Sequence, residues 1–363
     1  MERKYPVLQH STKFRSMLTR IITIFHIVRH MKNTHKRLLG LAGLFLIVLL
    51  FSKYFGLLLF PEDDKTAPIM IGVSQTPLSA PFIVADKLKL FETKGLNVEI
   101  VPCTSGVACA EDLLESKTDY ATASETVVMF QSFEKLGTRL LASFVESDND
   151  VKLLSLRPLK INRISDLEGR RVGIVKASAS EFYFDSLLIA ENLLDMPVER
   201  IYLNPSELVP ALLSFQVDAI STWEPYGYLT NLRSTQEVVN LGFKGIYQLT
   251  FNLISHTNPS EEQDMEAKKI LEVLNEANHW IHQNPEHAMS LLAEVLNVQV
   301  HQIRWSWEDY VFRLSIGNSL LTNLQLQSRW AIERGLTHDR TPDFRQIIDR
   351  RPLEALKRQK ELQ

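Results

Sequence analysis

Apolar and polar positions alternate along this chain in blocks that occur twice. The segment "IGVSQTPLSAPF" (71–82) reads as a short strand, a loop of small polar residues and a helix starting near Phe82. The segment "VGIVKASASEF" (172–182) has the same form and leads to Phe182. Next come "LNVEIV" (96–101) and "ERIYL" (199–203), two runs of strand character. "DLLESKTDYATASE" (112–125) and "ALLSFQVDAISTWE" (211–224) complete each block. Both leave an apolar-faced helix at Leu113-Leu114 or Leu212-Leu213 and pass a polar link. Both then enter a strand at Asp119 or Asp218 and finish on Glu125 or Glu224. Strand–helix–strand–helix–strand, repeated, predicts parallel strands with helices on both sheet faces, and two similar α/β lobes. The first lobe is placed at 68–152 and the second at 153–250, with connecting strands near "VKLLSL" (151–156) and "YQLTFNL" (247–253).

Helical periodicity dominates the C-terminal third of the chain. Residues 251–340 read as a helical return packing on the first lobe. Ser260 is placed to cap a helix that puts Ile270, Leu271, Leu274 and Ala277 on one face. Pro285 opens another helix, and "SLLTNLQLQSRWAIERGL" (319–336) supplies a third. His279, His282 and His287 are read as ordinary helix residues, because Pro285 interrupts the face shared by the first two. Residues 341–363 are read as a charged C-terminal helix.

The N-terminal end has a different pattern. Residues 38–60 are 23 positions with one charge, Lys53. That suffices for a membrane-spanning helix, which needs about 20 apolar residues. Residues 1–37 hold nine Lys or Arg against one acid, so they are predicted to be cytoplasmic, with 61–67 a linker to an extracytoplasmic body. The expected product is anchored in the inner membrane through 38–60. The whole chain carries a net charge of −3, so the rest carries −3 − 8 = −11. A modestly acidic body argues against nucleic acid as its partner. The only cysteines are Cys103 and Cys109. Their spacing suits either a disulfide, permitted outside the membrane, or two unpaired buried side chains.

In open α/β sheets, ligands bind beyond the carboxyl ends of the strands. The loops there carry Ser74, Gln75 and Thr76; then Thr104, Ser105 and Gly106; then Ser124 and Glu125. In the second block they carry Ser178 and Ser180, then Trp223 and Glu224. Serine, threonine and glycine before helices are N-caps first, but helix starts also offer free N–H groups and a positive dipole end to an anion. Trp223 is expected to present its ring at the cleft, with Pro225 ending the strand. Glu125 and Glu224 are expected to face the cleft from opposite sides and to accept hydrogen bonds from a ligand. No G-x-S-x-G, H-E-x-x-H, P-loop or G-x-G-x-x-G occurs, so no catalytic residues, metal or cofactor are predicted.

"GVSQTPLSAPFIVADKLKLFETKGLNVEIV", "ISDLEGRRVGIVKASASEFYF" and "ALLSFQVDAISTWEPY" together resemble the substrate-binding proteins of nitrate, taurine and sulfonate ABC importers, in the thiamine-pyrimidine-binding superfamily. The likeness covers roughly 68 to 340. It implies an α/β, two-lobed periplasmic-binding-protein fold, type II-like, here preceded by one N-terminal transmembrane helix. It also implies capture of a small polar solute in an inter-lobe cleft, with ABC permease and ATPase subunits as partners. A membrane-tethered sensor is the rival function. A thiamine-pyrimidine synthesis enzyme is the second rival, but such fungal relatives carry a cysteine-rich motif that Cys103 and Cys109 do not supply. A further departure is Phe215, where the "G-Q-V-D-A" turn of the family has glycine.

Overall fold

The computed structural model describes residues 67–134, 137–337 and 340–361. The basic segment 1–37, the apolar span 38–60 and the linker up to residue 66 lie outside the described residues. Among the described residues, no helix is long and apolar enough to cross a membrane.

Among the described residues, eleven strands form two sheets. The first sheet is built from β1 (Ile69–Ser74), β2 (Val98–Cys103), β3 (Tyr120–Ser124) and β4 (Thr138–Ser147), with two later strands. The second sheet contains β5 (Val151–Leu156), β6 (Arg171–Ile174), β7 (Glu199–Tyr202), β8 (Ala219–Trp223) and β9 (Val238–Asn240). The chain then returns to the first sheet as β10 (Leu249–His256) and β11 (Val311–Ser315). The strand orders are β11-β4-β10-β3-β1-β2 and β7-β6-β8-β5-β9. The two crossings therefore fall in residues 148–150 and 241–248. The segments expected to cross are strands within single sheets: 151–156 pairs antiparallel with β8, and β10 pairs with β3 and β4. Their continuous burial, not a bridging position, is what their apolar runs encode.

The repeat extends to side-chain detail. β1 lies parallel to β2 and β3, as β6 lies parallel to β7 and β8. Asp119 accepts the Met70 N–H at 2.8 Å, and Asp218 accepts the Arg171 N–H at 2.9 Å. Each aspartate thus fastens the start of the first strand of its block. The helices before these aspartates end on Ser116 and Phe215, with φ of +57° and +58°. Both close the last turn through their own N–H and the next one. Phe215 holds without glycine a conformation that glycine adopts most easily.

Helices cover both sheets. In the first block α1 (Ala80–Lys87), α2 (Leu90–Thr93), α3 (Gly106–Leu114) and α4 (Glu125–Phe133) follow the strands. In the second the equivalents are α5 (Ala179–Ala190), α6 (Pro205–Leu213) and α7 (Tyr226–Arg233). Then come α8 (Glu261–Gln283), α9 (Pro285–Val295), α10 (Val300–Trp307), α11 (Asn318–Glu333), α12 (Phe344–Ile347) and α13 (Arg351–Glu361). Ser260 caps α8 in a capping box with Gln263. Ile270, Leu271, Leu274 and Ala277 are fully buried on its inner face. α8 packs on α1, α13 and β11, and α11 packs on α4, so the return belongs beside the first sheet. It is not all helix: β11 alternates buried Phe312 with exposed Val311 and Arg313 on the sheet edge, a run too short for periodicity to flag.

Candidate ligand-binding site

Three helices of nine, nine and twelve residues start where the two sheets meet: α3, α4 and α5. Their starts enclose a cavity of about 40 Å³. From the first sheet side it is lined by Thr76, Leu78, Ser105, Gly106, Val107, Ser124 and Val127. Ser178, Ala179 and Trp223 line it from the second, and Asp150, Leu249 and Phe251 from the strands and crossing between. No Lys, Arg or His is among the lining residues. An occupant would meet N–H groups and helix dipoles in place of a cation. A cavity of this size has room for two or three water-sized groups, since one needs about 10–15 Å³.

The three capping serines differ in what they have left to give. Ser105 Oγ accepts the Ala108 N–H at 3.2 Å, and Ser124 Oγ accepts the Val127 N–H at 3.5 Å. Both bonds use an oxygen lone pair and leave the hydroxyl hydrogen available. Ser178 accepts from the Ser180 N–H but donates its own hydrogen to the Val175 carbonyl at 2.7 Å. Gly106 is glycine for space: a Cβ there would lie 3.0 Å from the Phe251 ring and 3.2 Å from Ala123 Cα. The cysteines hold this corner, because Cys103 at the end of β2 is disulfide-bonded to Cys109 in α3, with Cα atoms 5.4 Å apart. The bridge spans Thr104, Ser105 and Gly106.

Of the residues singled out in the sequence, Thr76, Ser105, Gly106, Ser124, Ser178 and Trp223 come together at the cavity. Gln75 and Thr104, again with Thr76, form one wall of an open hollow of about 440 Å³, opposite Pro225, Tyr226 and Arg233. Thr76 lines both spaces. Ser74 and Ser180 are fully buried scaffold: Ser74 bonds Thr76 and Ser79, and Ser180 accepts the Val175 N–H.

The two glutamates are not in the lining, contrary to expectation. Glu125 is fully buried at the first turn of α4. It accepts from the Tyr247 hydroxyl, the Thr250 N–H (2.8 Å), the Thr250 hydroxyl (3.0 Å), the Gln327 amide (2.9 Å) and the Asn323 amide (3.3 Å). Glu224 accepts the Tyr228 N–H at 2.9 Å and the Trp305 indole N–H at 3.1 Å, with Lys152 Nζ at 4.0 Å. Gly227 leaves the room: a Cβ there would lie 2.6 Å from Glu224 Oε1. The oxygens of Glu125 are taken by Tyr247 of the second crossing, Thr250 of β10 and Asn323 and Gln327 of α11, and those of Glu224 by the Tyr228 N–H of α7 and the Trp305 indole of α10. Burial pushes both above the ordinary glutamate value, against the pull of those donors.

Asp150 was not visible as a site residue in the sequence. It sits in the first crossing, is 1% exposed, and lines the cavity. Its Oδ1 accepts the Tyr310 hydroxyl at 2.8 Å, while its Oδ2 has no partner. Burial, with the charge of Glu224, pushes its pKa up to about 7, although Tyr310 and Lys152 oppose this.

Two similar α/β units joined by two crossings, with helix starts converging on a cavity between them, define the class of periplasmic solute-binding folds. Solved structures bear this out. The aliphatic sulphonate binding protein SsuA from Escherichia coli superposes with a TM-score of 0.69 at 18% identity, covering 79% of this chain and 93% of that one. The alkanesulfonate-binding protein SsuA from Xanthomonas axonopodis pv. citri, bound to MOPS, gives 0.67 at 16% identity, covering 78% and 99%. A Bacillus subtilis (strain 168) protein named for aliphatic sulfonate binding is 25% identical over 239 residues, 64% of this chain and 71% of its own. The NMT1/THI5-like family profile matches residues 76–288, and the chain belongs to that family.

Proposed function

We propose that the protein is an extracytoplasmic solute-binding protein that captures a small anionic solute, of the sulfonate class, between its two sheets for ABC-type uptake. The observation that carries this reading is the convergence of three helix starts on one buried cavity without a cationic side chain. Such a site favours a compact oxyanion, held by N–H groups and the free hydroxyl hydrogens of Ser105 and Ser124. Trp223 supplies an apolar wall, and an organic tail would extend past Thr76 toward Gln75, Thr104 and Tyr226. The names of the relatives agree with an anionic sulfonate ligand. The two lobes would close over the solute about the crossings 148–150 and 241–248. A permease and an ATPase would receive it, with 38–60 holding the body at the membrane.

Binding, not catalysis, is the role the side chains support. Ser178 gives its hydrogen to a backbone carbonyl, not to a base. Asp150 is the one lining residue with a titratable acid group, and it bonds a tyrosine. Both cysteines are tied to each other. A thermal-shift screen of the full-length chain against alkanesulfonates, nitrate, bicarbonate and pyrimidines tests the reading. A ligand at a hundredfold excess over Kd adds about 2.7 kcal/mol of stability. A shift with pyrimidines alone, or with no anion at all, would refute it.

A further inference from the structure

We infer that an arginine-lined hollow at the amino end of the first sheet is a second anion site, and that it takes the phosphate of an anionic lipid headgroup. The inference rests on the reading of 38–60 as an anchor, given above, and adds a contact between the body and the lipid surface. The hollow is open and has a volume of about 860 Å³. Arg139, Arg345, Arg350 and Arg351 line it against one acid, Asp349. Their charges are not all answered. Arg139 is buried and held by Asp264 at 2.7 Å and Asp349 at 2.6 Å. Arg351 meets the same two aspartates at 3.1 and 2.7 Å. Two acids and two arginines thus balance. Arg345 and Arg350 are exposed and pair with no carboxylate among the described residues; Arg350 donates to the Ile316 carbonyl at 3.4 Å. α11 starts at the same hollow with Asn318 in the lining, and its start has no side-chain cap. Guanidinium forks match phosphate oxygens two at a time, and a helix start adds N–H groups and a positive dipole end. The acids that open α8 are not in the lining. On a body that carries −11 beyond residue 37, this surplus of arginine is a local exception.

Position selects a lipid over a free phosphate. Ile71, Tyr120, Ser255 and Arg139 are successive partners across β1, β3, β10 and β4. Neighbouring strands lie about 4.8 Å apart, so Arg139 stands about 15 Å across the sheet from Ile71. This is the end where β1 begins, whereas the cavity lies at the other end of the parallel strands, beyond Ser124. The chain reaches β1 from the apolar span through residues 61–68, and eight residues extend no more than about 30 Å. A link this short keeps the start of β1, and the hollow beside it, within reach of headgroups. A free phosphate would meet the same donors, but the tether holds a lipid phosphate next to them.

The test is hydrogen exchange of the full-length chain in lipid nanodiscs, made of phosphatidylcholine alone or with added phosphatidylglycerol. Amides of 343–351 and of the α11 start should exchange about fivefold more slowly in the anionic discs, the factor expected for one arginine at an anionic surface. The double variant Arg345→Gln, Arg350→Gln should lose this protection while melting as the wild type does. Equal exchange of the wild type in both discs overturns the inference and leaves the anchor standing; this arm needs no variant. Protection that persists in the double variant also overturns it. Equal protection by glycerol 1-phosphate added to neutral discs would assign the hollow to a free phosphate and remove the lipid. A chain that does not enter neutral discs has no anchor in 38–60, and the inference falls with that reading.

Discussion

Removing the Glu125 side chain should be among the most damaging single changes to this fold, and replacing it with glutamine among the mildest. In Glu125→Ala, five hydrogen bonds lose their acceptor. Three of those donors have somewhere else to go. The Thr250 hydroxyl can rotate, the Tyr247 hydroxyl lies 3.3 Å from Thr126 Oγ1, and Asn323 also donates to the Gln248 carbonyl. The Thr250 N–H and the Gln327 amide are stranded. At about 1–3 kcal/mol for each stranded buried donor, the loss is about 2–6 kcal/mol. Relief from burying a carboxylate trims this, so about 3 kcal/mol is expected. Glutamine keeps one oxygen for Thr250 and turns its NH₂ toward Gln327, whose own Oε1 lacks a partner. A half-turn of the Gln327 amide satisfies both, at a cost of about 1 kcal/mol or less. Urea denaturation followed by tryptophan fluorescence measures the difference by linear extrapolation. The sign of the pH dependence is also fixed. Because burial raises this carboxyl above 4.5, its contribution is present below 4.5 and lost as pH rises through the raised value. The wild type should therefore lose stability relative to Glu125→Gln on going from acid to neutral pH. Equal costs for alanine and glutamine, or an alanine cost below about 1 kcal/mol, would refute the reasoning.

Other substitutions test separate parts of the account. Trp223→Ala should weaken ligand binding at least tenfold, about 1.4 kcal/mol. Its melting temperature should fall less than the loss of about 3–5 kcal/mol typical of a core tryptophan would produce, because the ring is only half-buried; a far lower melt with normal binding would make it scaffold. Phe215→Gly should stabilise the protein by about 1 kcal/mol by relieving the left-handed conformation, read as a raised melting temperature. Opening the Cys103–Cys109 bridge by a double serine variant should cost about 2 kcal/mol in denaturant, as a short loop predicts. The Asp150 carboxyl, raised to about 7 from an ordinary 3.8, contributes stability below 3.8 that is lost as pH rises through 7. Melts between these limits should therefore be flatter for Asp150→Asn.

The repeat made most of the fold legible. Asp119 and Asp218, spaced alike from their leucine pairs, marked the third strand of each block, and both do the same work on a neighbouring strand. Polar loops after these strands pointed to Ser105, Ser124, Ser178 and Trp223, because a sheet edge is set by local order. Side-chain direction is not. The donors that take the Glu125 oxygens include Tyr247 and Gln327, 122 and 202 residues further along. The tryptophan that holds Glu224 lies 81 residues on. Asp150 was hidden differently. Within "ESDND" it looks like one acid of a solvated loop, and only the crossing between sheets and the distant Tyr310 bury it. Nothing short of the three-dimensional arrangement separates it from Asp148.

Two indole contacts between the return helices and the second block have a practical use. Trp305, on α10, donates to Glu224 beyond β8 of the second sheet. Trp330, on α11 beside the first sheet, donates to Asp185 of α5 at 2.7 Å. Both rings span from the return helices to the second block, and each has its N–H on a carboxylate. An indole that loses a carboxylate partner and gains water changes its emission. The protein therefore carries two intrinsic optical probes of separation between its halves, so that solute capture can be followed in real time without attaching a dye.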